Sequence, residues 1–286
     1  MSETKEKEMS FLGHIGELRG HLIRSILAIA IGGFAIGFNI NWVMDHILFG
    51  PTKPDFLTFK VVNHFSQMIF GHDTIDLPEK FPIQVRRLFE QFNVMMAVSI
   101  VGGIIIAFPY IVWELWKFIS PGLHEHENER KNSIFVINST WLMFMLGALS
   151  GYYLVMPFVI NFGYFFHISD TIRVDIDLSS YITIFLQVVL GMAVIFLFPI
   201  VVYMLTSIGV LTPKFLTTYR RHAIVVIMVV AAIITPADVL SMMAAALPLL
   251  VLYEISIFMS RLMEKRMKKR ESKKETAETN LPKIEN

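Results

Sequence analysis

The chain has 286 residues, no cysteine, 54% hydrophobic residues and 17% charged residues, whereas a soluble domain carries about 25% charged residues. The absence of cysteine excludes a secreted disulfide scaffold, and 25 Lys and Arg against 24 Asp and Glu argue against a nucleic-acid-binding domain. The mean hydropathy is +0.57, and several charge-free stretches are too long to fold in water without exposing large apolar patches. The composition predicts an all-α, polytopic membrane protein.

Six transmembrane helices are predicted, because about 20 apolar residues in a helix cross a bilayer. The charge-free runs are Ser25–Met44, Gln91–Trp113, Asn132–Ser169, Leu178–Pro213, His222–Ala237 and Val239–Tyr253. The third and fourth runs exceed one span but are too short for two, and each contains a proline, Pro157 or Pro199, that we expect to kink the helix or lie near its end. The last two runs are short, and only the turn-like segment 235–238 separates them. They predict a tight hairpin of two short helices.

An even number of spans places both termini on the same side of the membrane. That side carries 19 of the Lys and Arg residues and the other side carries 6, so the positive-inside rule predicts cytoplasmic termini. The predicted organisation is a cytoplasmic amphipathic segment over 1–21, a six-helix transmembrane domain over 22–261 and a charged, disordered cytoplasmic tail over 262–286.

Few polar side chains lie within the apolar runs. Glu254 is expected near a helix end, where it snorkels to the interface or pairs with Arg261, and Asp238 is expected to cap a helix. Gln187 is expected to make an interhelical hydrogen bond. A secondary transporter coupled to ions or protons, the alternative function, would need more mid-membrane polar groups than these. No nucleophile and base pair indicates an enzyme, so the chain is predicted to be non-enzymatic.

The N-terminal segment His14–Leu22 predicts an amphipathic helix that runs directly into the first span. At helical spacing, Ile15, Leu18 and Leu22 share one face, while the charged side chains lie off it. Such a helix lies at a membrane interface.

The loop between the second and third spans is the most informative cytoplasmic segment. Trp113, Trp116 and Phe118 indicate an interfacial aromatic belt, and the dipeptide at 121–122 predicts the end of the helix. The acidic turn that follows opposes the usual positive bias of cytoplasmic loops, so it predicts a cationic partner.

That acidic turn contains the cluster His124–Glu127, which raises the alternative of a metal site. Histidines two residues apart lie on different helix faces and do not match the zinc spacing H-E-x-x-H. A solvated loop or a recognition surface is therefore favoured, and neither a metal nor a cofactor is predicted.

A set of motifs in a particular order covers nearly the whole membrane part, from His14 to Arg261. Each motif is weak alone, and it is their order and spacing that identify a family. They are H-x-x-E-L-R at 14–19, E-x-F at 90–92, Pro109, W-x-F-I-x-P-G-L at 116–123, H-E at 126–127, Gly147, Tyr152, Pro157, T-P-x-D at 235–238 and L-Y-E-I-S at 252–256. The chain resembles the TatC family of the twin-arginine translocase, whose members are the six-span receptors of the Sec-independent export system.

The resemblance implies a receptor and scaffold in a prokaryotic inner membrane that binds the twin-arginine signal peptides of folded precursors. It implies signal-binding roles for Glu17, Arg19, Phe118, Leu123 and Glu127, with Glu17 and Glu127 as the carboxylates that pair with the arginines. It assigns structural or partner contacts to a second set, which comprises Phe92, Pro109, Tyr152, Asp238 and Glu254. The implied partners are small single-span subunits of the A type, the B type or both, further copies of the chain and the lipid bilayer. The implied energy source is the proton-motive force.

Three positions depart from the pattern common in the family. Leu197 stands where many members have a Glu, Met242 where many have a Gln, and Ala97 where a Lys is common. The departures lie in the membrane and leave the cytoplasmic motifs unchanged.

Overall fold

The computed structural model describes residues 11–72, 75, 77–78, 81–119, 129–169, 171, 174–236 and 238–279. Side chains are described for these residues except at 11–15, 70, 119, 129–136, 269–271 and 273–279. The eleven α-helices of this part are α1 (Phe11–Phe38), α2 (Ile40–Val43), α3 (Leu57–Phe70), α4 (Glu90–Ile119), α5 (Glu129–Ser150), α6 (Met156–Phe165), α7 (Leu178–Ile195), α8 (Phe198–Ser207), α9 (Pro213–Thr218), α10 (Arg220–Ile234) and α11 (Val239–Thr279). Two-residue strands β1 (Ile83–Gln84) and β2 (Ile176–Asp177) pair in parallel.

Five stretches of the described helices are long and apolar enough to cross a membrane. They are Gly16–Phe38, Glu90–Phe118, Ile137–Phe165, Leu178–Ser207 and Val239–Lys268. The predicted all-α, polytopic membrane architecture is thereby confirmed. The remaining predicted span corresponds to α10, which has 15 residues and is short, as expected.

Both prolines in the long apolar runs mark breaks in the helices. A π-helical turn, Gly151–Val155, separates α5 from α6, and Pro157 follows in the first turn of α6. Pro199 lies in the first turn of α8, just after α7 ends. Proline lacks the N–H that would continue the preceding helix, but it fits the first turn of a new one.

The prediction that the last helix is short and the tail disordered was wrong for the described part, because α11 runs without interruption from Val239 to Thr279. The tail is rich in Lys, Glu and Arg, which are strong helix formers. A Glu264–Lys268 ion pair of 2.8 Å, one turn apart, supports the extension.

The described contacts group the chain into two compact units, whereas the sequence predicted one membrane domain over 22–261. The first unit comprises Met1–Lys53, Pro78–Leu142 and Arg173–Leu186. The second comprises Pro54–Leu77, Met143–Ile172 and Gln187–Asn286.

The first unit is built on α1 and α4, which run antiparallel in close contact along a seam of glycines. A Cβ placed on Gly103 would lie 2.6 Å from both the Gly33 nitrogen and the Ile29 carbonyl oxygen, and one on Gly33 would lie 2.9 Å from the Ser99 oxygen. Only the absence of side chains at the seam permits this approach, which is how helices pack in membranes where small residues meet.

Glu90 connects three segments of the first unit. Its side chain is buried, and it accepts hydrogen bonds from the backbone N–H groups of Arg86 (2.8 Å), Arg87 (3.0 Å) and Ser179 (2.8 Å). These bonds satisfy two backbone amides in the turn that precedes α4 and one free amide in the first turn of α7. The motif E-x-F at 90–92 therefore begins with a structural residue.

The second unit contains a comparable close approach between α5 and the end of α7. A Cβ on Gly147 would lie 2.6 Å from the Met192 oxygen and 2.7 Å from the Ala193 Cα. A separate cluster of buried side chains, Val202, Leu216, Tyr253 and Ile257, joins α8, α9 and α11. The Tyr253 hydroxyl donates to the Leu216 carbonyl at 2.7 Å, which satisfies a polar atom that burial would otherwise leave unpaired.

Candidate functional site

A buried carboxylate holds α1 against the last turns of α4. The Glu114 side chain is 1% exposed, and its Oε2 accepts a hydrogen bond from His21 Nδ1 at 2.6 Å. The Arg24 guanidinium lies 3.3 Å from the same oxygen, and Lys117 Nζ lies 3.4 Å from Oε1. We call these four residues the Glu114 cluster. A buried charge is tolerated only when it is paired and hydrogen-bonded, and here both carboxylate oxygens are occupied.

The cations of the cluster reach from the carboxylate toward solvent. The side chain of Arg24 is 52% exposed and that of Lys117 is 39% exposed, against 16% for His21. Lys117 Nζ also lies 3.3 Å from the centre of the Trp113 ring, a cation–π contact. The cluster is therefore anchored in protein on the Glu114 side and open on the side of the cations.

The cluster brings two of the predicted signal-binding residues to the same end of the helix pair. Glu17 precedes His21 by four residues and so lies on the same face of α1. Phe118 follows Glu114 by four residues in α4, and its ring lies 6.1 Å from the His21 ring in an edge-on arrangement. Because the helices are antiparallel, Glu17 lies about one turn, or about 5.4 Å, beyond His21, and Phe118 lies about one turn beyond Glu114, in the same direction.

The exposed Glu17 carboxylate and the Phe118 ring therefore lie at the same end of the helix pair. Arg19 is also exposed, but its position two residues after Glu17 places it on the far side of α1. The structure does not bring Arg19 to the face that carries Glu17 and His21.

Leu123 and Glu127, the other two predicted signal-binding residues, lie outside the described residues, as does the His124–Glu127 segment. Among the described residues there is no group of three or more His, Cys, Asp or Glu side chains that could hold a metal.

Residues predicted for structural or partner contacts have different environments. In the first unit, Phe92 is 57% exposed on α4, and Pro109 is an exposed residue inside the same helix. In the second unit, Tyr152 is partly buried with its ring 5.4 Å from the Phe56 ring and 4.8 Å from the Tyr153 ring.

Asp238 is buried, and its Oδ1 accepts a hydrogen bond from the Ser241 N–H at 2.7 Å. The predicted helix cap is confirmed. This bond satisfies one of the free amides at the beginning of α11.

Glu254 pairs with Arg220 at 2.8 Å, and both side chains are about half exposed, at 57% and 46%. The predicted alternative of a pair with Arg261 was wrong. Arg220 opens α10 and approaches α11 from the side, so the partner comes from another helix.

Gln187 donates from Nε2 to the Ile233 carbonyl at 2.7 Å, which confirms the predicted interhelical hydrogen bond. The Ile233 carbonyl belongs to the last turn of α10, where the carbonyl groups have no hydrogen-bond partner within the helix.

Sequence reasoning missed the Glu114 cluster, because Glu114 follows the charge-free run ending at Trp113 and looked like an ordinary interfacial acid. The spacing of charged residues in the sequence could have indicated the cluster. His21 and Arg24 are spaced three apart on α1, and Glu114 and Lys117 are spaced three apart on α4. Each pair occupies one helix face, which is the pattern of a charged seam between two helices.

Comparison with known proteins identifies the family. The family model described as "Sec-independent protein translocase protein (TatC)" matches residues 13–248. A "Sec-independent protein translocase protein TatC" from Blattabacterium sp. subsp. Periplaneta americana (strain BPLAN) is 40% identical over 266 residues, covering 92% of this chain and 99% of the relative. The "Sec-independent protein translocase protein TatCy" of Bacillus subtilis (strain 168) is 32% identical over 263 residues, covering 91% of this chain and 92% of the relative.

Two solved structures are similar in fold and sequence. The "Crystal Structure of Twin Arginine Translocase Receptor- TatC" has a TM-score of 0.64 and 30% identity, covering 88% of this chain and 99% of that one. The structure of the same receptor "in DDM" has a TM-score of 0.67 and 31% identity, covering 86% and 99%.

Proposed function

The chain belongs to the TatC family of Sec-independent protein translocase proteins, and we propose that it binds the twin-arginine signal peptides of folded precursors at the end of the α1–α4 pair. Its role is that of a receptor subunit in twin-arginine export. The observation that carries the proposed site is the placement of Glu17 and Phe118 at the same end of the helix pair, one turn beyond His21 and one turn beyond Glu114, respectively.

The chemistry of the signal explains the residue types. A guanidinium group makes its strongest contacts with carboxylates, which accept two parallel hydrogen bonds. We propose that Glu17 and Glu127 accept these bonds from the two signal arginines. Phe118 and Leu123 then provide apolar contact for the hydrophobic part of the signal.

The Glu114 cluster supports this site in two ways. It fixes α1 against α4, so that Glu17 on α1 keeps a constant position relative to Phe118 on α4. It also pairs Arg24 and Lys117 with a buried anion. Unpaired cations beside the site would repel a doubly cationic ligand, and like-charge contacts across an interface are costly.

Arg19 has a different position from the other proposed contacts, because it lies on the far side of α1 from Glu17. We propose that it contacts the signal-bearing precursor or a neighbouring subunit from that side rather than the Glu17 carboxylate.

The remaining assignments follow from the family and from the charge distribution. We propose a prokaryotic inner-membrane location with both termini in the cytoplasm, supported by the excess of Lys and Arg on that side. The proposed partners are small single-span subunits of the A type, the B type or both, and further copies of the chain. Exposed Phe92 and Pro109 are available for such contacts or for lipid, and transport is driven by the proton-motive force.

The residues that favoured a secondary transporter each make a contact within the second unit. Gln187 bonds to α10, Asp238 caps α11 and Glu254 pairs with Arg220. Each has an evident structural use, so these residues give the transporter alternative no support.

The test of the proposed site is site-specific crosslinking of an Arg-Arg signal to membranes that hold each variant at equal protein level. Glu17→Gln and Glu127→Gln keep the side-chain shape and remove the charge. We expect each to cost about 1–3 kcal/mol, roughly ten- to hundredfold in affinity, since the site is interfacial and partly wet. The preference for Arg-Arg over Lys-Lys signals should decrease together with the affinity.

Glu125→Gln and Glu129→Gln are the matched controls, because they remove the same charge from the same acidic segment and should retain near-normal crosslinking. Equal crosslinking by the wild type and the Glu17→Gln, Glu127→Gln double variant would show that these carboxylates do not read the signal.

A further inference from the structure

Helix α3 lies in the long connection between α1 and α4, and its surface divides into three faces. One face is buried in the protein, where Phe59 is 1% and Ser66 is 5% exposed. The exposed half divides into an apolar arc and a polar arc. The apolar arc, which we call the α3 apolar face, consists of Leu57 (60%), Val61 (47%), Phe65 (58%), Met68 (80%) and Ile69 (70%).

The division follows from helical spacing. At 3.6 residues per turn, the five residues of the α3 apolar face fall within an arc of about 120°. The exposed polar side chains Lys60, His64 and Gln67 fall together on the adjoining arc, about 60° wide. No charged residue interrupts the apolar arc, so α3 has the pattern of a helix that lies in a membrane interface.

The beginning of α3 is attached to a membrane-spanning helix. The Thr58 hydroxyl donates to the Tyr153 carbonyl oxygen, and the Phe56 ring stacks on the Tyr153 ring at 5.3 Å and 14°. Tyr153 belongs to the span Ile137–Phe165, so the beginning of α3 is attached to the side of an apolar helix long enough to cross the membrane.

Thr58 lies on the side of α3 that carries the apolar face, since it falls between Phe65 and Ile69 around the helix. The apolar face is therefore adjacent to the surface of the third span, which is itself apolar and exposed at Leu154 (37%) and Phe165 (44%).

The far end of α3 is also fixed. Gly71 ends the helix in the left-handed conformation, with φ of +74°, which only glycine adopts without strain. The Asn63 side chain then donates to the Ile75 carbonyl at 2.8 Å and accepts from the Ile75 N–H at 3.0 Å. The helix cannot turn its apolar face inward without breaking these contacts.

We infer that the α3 apolar face inserts into the lipid leaflet opposite the N-terminus of the chain, at the boundary between headgroups and acyl chains. The occupant is lipid because the face continues the exposed apolar surface of a helix long enough to span the membrane and because the polar arc beside it provides a water-facing edge. Lys60 and His64 then lie at the level of the headgroups, where a Lys side chain reaches polar phosphate groups. The helix anchors the connection to the membrane surface.

The absence of native cysteine permits a direct test with single-cysteine variants of the full chain. Val61→Cys and Phe65→Cys report on the apolar face, and their sequence neighbours Lys60→Cys and His64→Cys are matched controls on the polar arc. Each variant is labelled with the fluorophore NBD in detergent, checked for monodisperse elution and reconstituted into phosphatidylethanolamine and phosphatidylglycerol vesicles. Quenching is measured with a shallow nitroxide-labelled phosphatidylcholine and, separately, with aqueous iodide.

At positions 61 and 65, we expect a blue-shifted emission, strong quenching by the nitroxide lipid and a loss of iodide quenching relative to positions 60 and 64. Two results would overturn the inference. Iodide quenching at 61 and 65 equal to that at 60 and 64 would place the face in water. Protection at 61 and 65 from both quenchers would mean that protein covers it. A Met68→Cys variant repeats the measurement one turn further along, so that a local disturbance at one position does not decide the outcome.

Discussion

The two units contain carboxylates that both pair with arginine, but under opposite conditions. In the first unit, Glu114 is 1% exposed and is contacted by three basic side chains, those of His21, Arg24 and Lys117. In the second unit, Glu254 is 57% exposed and pairs with Arg220. The same two residue types therefore form a buried cluster in one case and a surface pair in the other. Removing a partner strands a charge in protein in the first case and returns a charge to water in the second.

This difference predicts very different consequences for substitution. Breaking a buried pair costs about 3–5 kcal/mol because the remaining charge has lost its compensation, whereas an exposed pair contributes about 0–1 kcal/mol. The Glu114 cluster holds α1 and α4 in one relative position, whereas the Glu254–Arg220 pair adds little to the contact between α10 and α11. We therefore expect the α1–α4 contact to depend on its charges and the α10–α11 contact to depend on apolar packing.

The largest effect is expected when the cationic partners of Glu114 on α1 are removed. The double variant His21→Ala, Arg24→Ala leaves the Glu114 carboxylate, which is 1% exposed in the intact protein, with only Lys117 beside it, at a cost of up to about 3–5 kcal/mol in unfolding free energy. Denaturant titration or thermal unfolding in detergent measures this loss. Adding Glu114→Gln removes the stranded charge, so the triple variant should regain part of the stability. If it is no more stable than the double variant, the charge of Glu114 is not what the cations compensate.

A second substitution separates the charge cluster from the glycine seam that also joins α1 to α4. Gly103→Ala places a Cβ 2.6 Å from backbone atoms of α1, so the helices must move apart at a cost of about 1–3 kcal/mol. Gly163→Ala, with no atom within 4 Å of the new Cβ, is the control and should be neutral or slightly stabilising. Thermal stability in detergent is the measurement. Equal midpoints for the two variants would mean that the cluster alone holds the pair together.

A third test concerns Asp177, an accessible carboxylate in the first unit outside the membrane spans. The backbone N–H and hydroxyl of Ser180 donate to it, each at 3.1 Å, and these bonds lower the pKa of Asp177 below its usual value of 3.8. Since the folded pKa is depressed, the stabilisation is fully present above the unfolded pKa and is lost as the pH falls through the folded pKa.

Asp177→Asn should accordingly lower the melting temperature slightly at pH 7 and converge with the wild type as the pH falls through the folded pKa of Asp177, which lies below 3.8. Melting curves collected between about pH 7 and about pH 2.5 give this comparison. A difference that persists unchanged to the lowest pH would assign the effect to side-chain shape rather than to ionisation.

The smallest effect is expected at the exposed pair. Glu254→Gln and Arg220→Gln should each change the unfolding free energy by about 0–1 kcal/mol, and high salt should reduce even that difference. Melting temperatures at low and high salt are the measurement, with Tyr253→Phe as the comparison because it removes the buried hydrogen bond to Leu216. A loss at Glu254 as large as that of the Glu114 cluster would remove the contrast between the two regions.

Patterns that act through a single helix could be predicted from the sequence. Long apolar runs predicted membrane spans, because a backbone in lipid must bond to itself. Pro157 and Pro199 predicted helix breaks, because proline has no N–H to donate. Asp238 was predicted as a cap from its place after a turn, because capping depends on neighbours in the chain. The family resemblance also rested on short local motifs and on their order along the sequence.

Contacts between distant segments depend instead on how the helices pack. His21 and Glu114 are 93 residues apart, and only the antiparallel register of α1 and α4 brings them together. The same register places Glu17 and Phe118 at one end of the pair and turns Arg19 away from it. Glu254 likewise pairs with Arg220 rather than Arg261 because of how α10 packs beside α11. The existence and approximate position of the apolar spans follow from the residue order alone, since periodicity and hydropathy are properties of contiguous residues. Which charges become buried follows only from packing, because burial depends on the helix that arrives from elsewhere in the chain.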